Sequence, residues 1–205
     1  MVGHLPPGQA DPSPAVDGLG RVLVAGIGNV FLGDDGFGSE VARQLAGSPL
    51  PPGVVVTDYG IRGMHLAYDL LDGWDLLVLI DLLPTRGSPG AVHIVEVDLE
   101  AIAGQAPDPH GMAPHAVLSA VGSMGATLPP TVLIGCEPED TEERLGLSPI
   151  VAAAVQPAVA AVLKLCVEGI GTIGERATHH GEQATDQQLQ HAGNMTVGIR
   201  PTRGR

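Results

Sequence analysis

The chain has 205 residues, 44% of them apolar, which is enough for one domain with a substantial core. A formal net charge of −13 and an aromatic content of 2% argue against nucleic acid or an anionic membrane as partner, because such a protein repels phosphate and offers few rings for base stacking. Two cysteines are too few for a disulfide framework. We find no leader and no apolar run of transmembrane length, so we expect a cytoplasmic protein.

The first structured element follows a segment without hydrophobic periodicity. Residues 1–20 are rich in Pro, Gly and Asp and are predicted to be a disordered lead-in. Residues 22–25 form an apolar run that predicts a buried strand, and a Gly-rich turn and the acidic pair Asp34 and Asp35 come next. A helix is predicted from the apolar spacing of Phe37, Val41, Ala42 and Leu45. Asp35 therefore lies just past the carboxyl end of a strand, where open α/β sheets bind their ligands.

Strands and helices then alternate along the chain. Further strands are predicted at residues 54–57, 75–81, 91–97 and 131–136. Further helices are predicted at residues 64–71, from about 114–116 onward, and from Ser148 and Pro149 to a stop at Gly169. The period of two in residues 91–97 indicates an antiparallel or edge strand, and Pro157 is expected to kink the last helix or to end its first part.

This alternation predicts a three-layer α/β fold, with a mostly parallel sheet of about five strands and helices on both faces. We expect a single domain over residues 21–171. Residues 172–205 lose the apolar pattern and are predicted to be a disordered tail.

The glycines after the first strand raise the alternative of dinucleotide binding. Gly26 and Gly28 fit the start of that fingerprint, but Phe31 occupies the position of its third glycine. The acidic pair would also repel a pyrophosphate at the helix N-terminus. In the simpler interpretation, these glycines only permit a tight turn.

Four carboxylates are candidates for a site at the strand ends. Asp34 is assigned to capping of the helix start, which leaves Asp35 for function. Asp81 ends an apolar strand, where a charge is costly without a partner, although it could simply accept N–H bonds from the next loop. Asp58 ends the neighbouring predicted strand and could equally be a turn former.

The histidines divide by position. Four lie in the predicted tails, namely His4, His179, His180 and His191, while His65 and His93 are expected to be surface or satisfied core residues. His110 and His115 lie in a loop that should emerge near Asp35 and Asp81. Two acids and one imidazole would form an open metal site with three protein ligands. Cys136 is expected to pack in the core, because no histidine is tied to it by local pattern.

Several motifs in order resemble one known family. GIGNVFLGDDGFGSEVARQL resembles the opening motif of the hydrogenase maturation endopeptidases. DYGIRG, LLVLID, a loop histidine before HAVLSAV, VLIGCEPED and LGLSP follow in the family's order, and the resemblance covers roughly residues 21–168. Both tails fall outside it.

The resemblance implies a protease that removes the C-terminal extension from the large-subunit precursor of a nickel–iron hydrogenase after nickel insertion. By motif position it implies metal contacts from Asp35, Asp81 and His110, and a role for Asp58 in positioning or cleavage. The chain has Asp35 where relatives often have Glu, and Tyr59-Gly60-Ile61 where Gly-Gly-Thr is common.

Two mechanisms remain open at this point. Nickel brought by the precursor could be bound by the protease as a sign of complete assembly, or a resident ion such as zinc or cadmium could polarise the scissile carbonyl. We favour the first, with a carboxylate as general base in either case. The competing function is a maturation chaperone that binds the precursor without cutting it.

Overall fold

A computed structural model describes residues 20–99 and 114–168 and contains one five-stranded sheet. Its strands are β1 (Val22–Ile27), β2 (Val54–Gly60), β3 (Leu76–Leu82), β4 (Val92–Glu96) and β5 (Thr131–Cys136), in the spatial order β2-β1-β3-β5-β4. All neighbouring strands pair in parallel except β4, which pairs antiparallel with β5 at one edge. The predicted fold class is confirmed, and so is the edge position that the alternating pattern of β4 indicated.

Helices cover both faces of this sheet. They are α1 (Phe37–Ala46), α2 (Gly63–Asp69), α3 (Pro114–Ser123) and α4 (Pro149–Glu168). Phe37, Val41 and Leu45 of α1 share one buried cluster with the inner side of α4, whereas α2 and α3 share the other. Burial of each fully buried Leu or Val in these clusters contributes about 1.5–3 kcal/mol to the free energy of folding. We call the two sides of the sheet the α1/α4 face and the α2/α3 face.

Two glycines allow α1 to lie directly on the strands. A Cβ on Gly38 would overlap the backbone oxygens of Ile27 and Ile80, and a Cβ on Gly26 would overlap the backbone of Gly38. The dinucleotide fingerprint assigns this close packing of helix on strand to its third glycine. Here Gly26 and Gly38 allow it instead.

The last helix begins as predicted but does not stop at its proline. Ser148 precedes Pro149 at the first helical position, and the Ser148 hydroxyl accepts a hydrogen bond of 3.4 Å from the Val151 amide. Of the two effects expected of Pro157, an end to the first part of the helix is wrong, because α4 continues through it to Glu168, and a kink stays a prediction. Tertiary packing explains this, since the inner side of the helix around Pro157 is buried in the core through Ala154, Val155, Ala158 and Val159. The predicted stop at Gly169 lies outside the described residues.

The length and apolar composition of α4 contradict one expectation from the sequence. Among the described residues it is the one helix long and apolar enough to cross a membrane by length and composition, so the statement that no apolar run reaches that length is wrong. In the structure its inner side packs on the sheet as part of the core. The predicted tails, residues 1–20 and 172–205, lie outside the described part of the chain except for Gly20, and the domain boundaries at 21 and 171 stay a prediction.

Candidate active site

The loop after β1 brings Asp35 back to the carboxyl end of the sheet. Gly28 has φ +138°, and a Cβ at this position would overlap the carbonyl oxygen of Asp35. The amide of Asn29 donates a hydrogen bond of 2.8 Å to Oδ2 of Asp35, and the Gly28 amide donates to the carbonyl of Gly60 at 3.1 Å. The glycine therefore lets the loop close on itself and ties Asp35 to the ends of β1 and β2.

Asp35 and Asp81 lie within electrostatic reach of each other. Asp81 is half-buried near the end of β3, and its Oδ1 accepts a hydrogen bond of 2.8 Å from the Leu82 amide. Burial chiefly, with the charge of Asp35 in addition, raises the pKa of Asp81 to about 7 in spite of that hydrogen bond. Leu82 is the last residue of β3, so this donor does not belong to the next loop, and the contact leaves the repulsion between the charges of Asp35 and Asp81 in place. A cation shared by the two carboxylates would relieve this repulsion.

Asp58 lies on the other face of the sheet. Asp58 pairs in register with Gly26, which also pairs with Ile80, so Asp58 shares the α1/α4 face with Ile80. Asp81 follows Ile80 and therefore points to the α2/α3 face, because successive side chains of a strand alternate. The three acids lie towards the carboxyl ends of the strands, but Asp58 and Asp81 are on opposite faces of the sheet and do not form one cluster with Asp35.

The carboxylate of Asp58 is held by two donors that both contact Oδ1. The hydroxyl of Ser39, which is 4% exposed, donates at 2.7 Å, and the amide of Gly60 donates at 3.0 Å. The second contact is the turn-forming role considered for Asp58. Ser39 was missed in the sequence analysis, where the available signal was a polar residue among the buried apolar positions of α1. Neither of these two donors contacts Oδ2.

Asp34 has a structural role, but not the predicted one. It caps neither its own 3₁₀ turn (Gly33–Gly36) nor α1 by a side-chain hydrogen bond. Fully buried, it accepts bonds from the amides of Glu139 (2.9 Å), Asp140 (3.2 Å) and Ser148 (2.6 Å) and from the Ser148 hydroxyl (2.9 Å). Burial alone raises the pKa of Asp34, but these hydrogen bonds outweigh burial and bring the pKa below its usual 3.8. Asp34 thus anchors the loop that leads into α4.

The predicted third ligand, His110, lies outside the described residues, as does the side chain of His115. Helix α3, which includes His115 in its first turn, packs on the same face of the sheet as Asp81. Within residues 20–99 and 114–168, no group of three or more His, Cys, Asp or Glu side chains could hold a metal ion. Asp35 and Asp81 would supply two carboxylate ligands to a divalent metal ion.

The other described histidines and Cys136 are placed as expected. His65 is exposed on α2, and Nε2 of His93 lies 2.9 Å from Oε1 of the buried Glu137. Cys136 is buried in the core, where burial chiefly raises the pKa of its thiol to about 11. A thiol that stays protonated at neutral pH is a poor nucleophile, which supports its assignment to packing.

Comparison with known proteins identifies the family. The family model described as hydrogenase maturation protease matches residues 39–165. The chain is 31% identical over 162 residues to the hydrogenase 2 maturation protease of Escherichia coli, covering 78% of this chain and 99% of that protein.

Solved structures agree with this match. The E. coli hydrogenase maturating endopeptidase HybD superimposes with a TM-score of 0.59 at 34% identity, covering 70% of this chain and 90% of that one. The hydrogenase 2 maturation peptidase of a Thaumarchaeota archaeon gives a TM-score of 0.56 at 36% identity, covering 70% of this chain and 96% of that one. This chain belongs to the hydrogenase maturation protease family and is a peptidase that takes part in hydrogenase processing.

Proposed function

We propose that this peptidase removes the C-terminal extension of a nickel–iron hydrogenase large-subunit precursor, in the cytoplasm and after nickel insertion. Family membership supports the processing of a hydrogenase. The observation that carries the finer proposal is the pair formed by Asp35 and Asp81, two carboxylates within electrostatic reach of each other, one in the 3₁₀ turn after β1 and one near the end of β3.

The nickel of the precursor is the cation that this pair would contact. Carboxylate and imidazole are both ligands for borderline divalent metals, and His110 is the imidazole that the family motif assigns to this place. A site with few protein ligands leaves positions open for the ligands that the precursor already supplies. Contact with the metal would then report that insertion is complete and would orient the scissile peptide. In the alternative version, zinc or cadmium resident among the same three residues would polarise the scissile carbonyl instead.

Asp58 is the carboxylate that we assign to the hydrolytic step. Its Oδ1 is held by Ser39 and Gly60, so that Oδ2 has a defined direction. As general base, this oxygen would take a proton from the water that attacks the scissile carbonyl, and the proton would then pass to the leaving amine. Its position on the opposite face from Asp81 separates the acid that moves a proton from the acids that contact metal.

The test uses nickel-loaded large-subunit precursor incubated with wild-type protein, Asp81→Asn and His110→Ala, with the mass of the large subunit as readout. We expect wild type to shorten the precursor and both variants to leave it full length while keeping a wild-type circular dichroism spectrum. His65→Ala, at an exposed histidine on α2, is the matched control and should process normally. Wild-type rates in both site variants would refute their assigned roles.

Two further arms separate the alternatives. Nickel-free precursor should remain uncut by wild type, whereas cleavage of nickel-free precursor by zinc-loaded protein would favour the resident metal. Stable binding of nickel-loaded precursor with an unchanged C-terminus would identify a chaperone instead of a peptidase.

A further inference from the structure

A pocket of about 470 Å³ opens beside Asp58 on the α1/α4 face. Residues of α1 form one wall, and the first turns of α4 with the segment before it form the other. This volume falls within the roughly 300–1,000 Å³ typical of ligand sites and exceeds the ~150 Å³ cavity that accommodates benzene in an engineered protein. The pocket therefore has room for more than one side chain.

The far wall of this pocket is apolar. It is formed by Leu145, Leu147, Ala152 and Val155, with Val30 from the loop after β1. Leu145 is 74% exposed and Val30 is 43% exposed, so two apolar side chains stand at the entrance in contact with water. Such an entrance is stabilised when an apolar group covers it.

The charged groups on the α1 wall are already paired with one another. Arg43 donates through Nε at 2.9 Å and through a terminal nitrogen at 2.6 Å to the carboxylate of Glu40, which Gln44 also contacts at 2.8 Å. A phosphate or carboxylate ligand would meet a neutralised arginine beside the acid Asp58, which disfavours an anion. The chemistry of the pocket thus matches an uncharged, apolar ligand.

We propose that this pocket binds apolar side chains of the precursor's C-terminal extension, next to the bond that is cut. The inference rests on the proposed function. Under that function the nickel-bearing part of the precursor contacts Asp35 and Asp81, and Asp81 points to the α2/α3 face. Because Asp58 and the pocket share the opposite face, the chain that crosses the end of β1 reaches Asp58 first and the pocket beyond it. The retained part and the removed part of the substrate are therefore recognised on different faces of the sheet.

The decisive variant is Ala152→Phe, which fills the pocket from an exposed position near the start of α4. Its matched control is Ala153→Phe, since Ala153 is also exposed on α4 but does not line the pocket. With nickel-loaded precursor we expect kcat/KM to fall about 10-fold to 200-fold for Ala152→Phe, the range for loss of an apolar subsite contact, and to stay unchanged for Ala153→Phe. Leu145→Glu, at the exposed entrance, is a second variant that should lower kcat/KM without a change of Tm.

An alanine scan of the extension shows what the pocket holds. Truncation of the side chain that occupies the pocket should lower kcat/KM for the wild-type protease and have no further effect with Ala152→Phe. The inference would be overturned if every truncation lowered kcat/KM by the same factor in wild type and in Ala152→Phe. Equal rates for wild type, Ala152→Phe and Leu145→Glu would also overturn it. In both cases the protease function would stand. A wild-type protein that leaves the precursor uncut would overturn both.

Discussion

Asp34 and Ser148 are separated by 114 positions in the chain, yet the backbone amide of Ser148 donates a hydrogen bond of 2.6 Å to Oδ1 of Asp34. The Ser148 hydroxyl reaches Oδ2 at 2.9 Å, and Arg144 lies 3.4 Å from Oδ1. Through this one buried side chain, the acidic loop after β1 is joined to the start of α4. The wall of the pocket beside Asp58 depends on that junction, because Leu145 and Leu147 belong to the segment that Asp34 anchors.

We predict that Asp34→Ala destabilises the protein by roughly 3 kcal/mol or more, because several buried donors lose their acceptor at once. The measurement is urea unfolding followed by circular dichroism. The neighbouring Asp35→Asn is the control and should not lower stability, since it removes a charge that repels Asp81. A loss below about 1 kcal/mol for Asp34→Ala would contradict the role of Asp34 as an anchor.

The same contact predicts a pH dependence. The pKa of Asp34 is lowered in the folded protein, so its contribution is complete above the unfolded pKa of roughly 3.9 and is lost as the pH falls through the lower folded value. Compared with Asp34→Asn, wild type should therefore be more stable at neutral pH, and the difference should shrink below about pH 4. Parallel unfolding series at several pH values measure this, and a constant difference down to the acid limit would argue against it.

Gly28→Ala should displace the loop that carries Asp35. The new methyl group would overlap the Asp35 carbonyl oxygen at a backbone φ of +138°, so we expect a loss of roughly 2–4 kcal/mol and a loss of processing. Gly73→Ala is the matched control, because Gly73 also has a positive φ but nothing lies within 4 Å of an added Cβ. That control should cost about 1 kcal/mol and leave processing intact. Equal effects of the two variants on processing would show that the close approach to Asp35 is unimportant.

Ser39 is predicted to act through Asp58. Ser39→Ala removes one of the two donors that hold Oδ1 of Asp58, and we expect kcat to fall roughly tenfold to a hundredfold with little change of KM. Ser48→Ala, which removes a hydroxyl bonded to the Gln44 carbonyl at the end of α1, is the control and should be neutral. In an Asp58→Asn background, Ser39→Ala should have no further effect on kcat. A further loss there would indicate that Ser39 has only a general structural role.

Several features of the fold could be predicted from the sequence because their causes are local. The order of strands and helices follows from hydrophobic periodicity, and the start of α4 follows from the adjacent Ser148 and Pro149. The edge position of β4 could be predicted for a similar reason, since its alternating residues match a strand with one face less buried. Ordered motifs likewise indicated the family, because a family resemblance is carried by residue types and their sequence alone.

The tertiary structure decided which side chains meet. Asp34 was expected to cap a helix nearby, but its partners lie more than 100 positions away in the chain. Asp58 and Asp81 both lie near the ends of strands, and only the register of β1 with its two neighbours shows that they occupy opposite faces. Pro157 is a helix breaker by local propensity, yet burial of the surrounding helix outweighs that cost. In each case the deciding energy comes from contacts between distant segments, which periodicity and spacing along one chain do not encode.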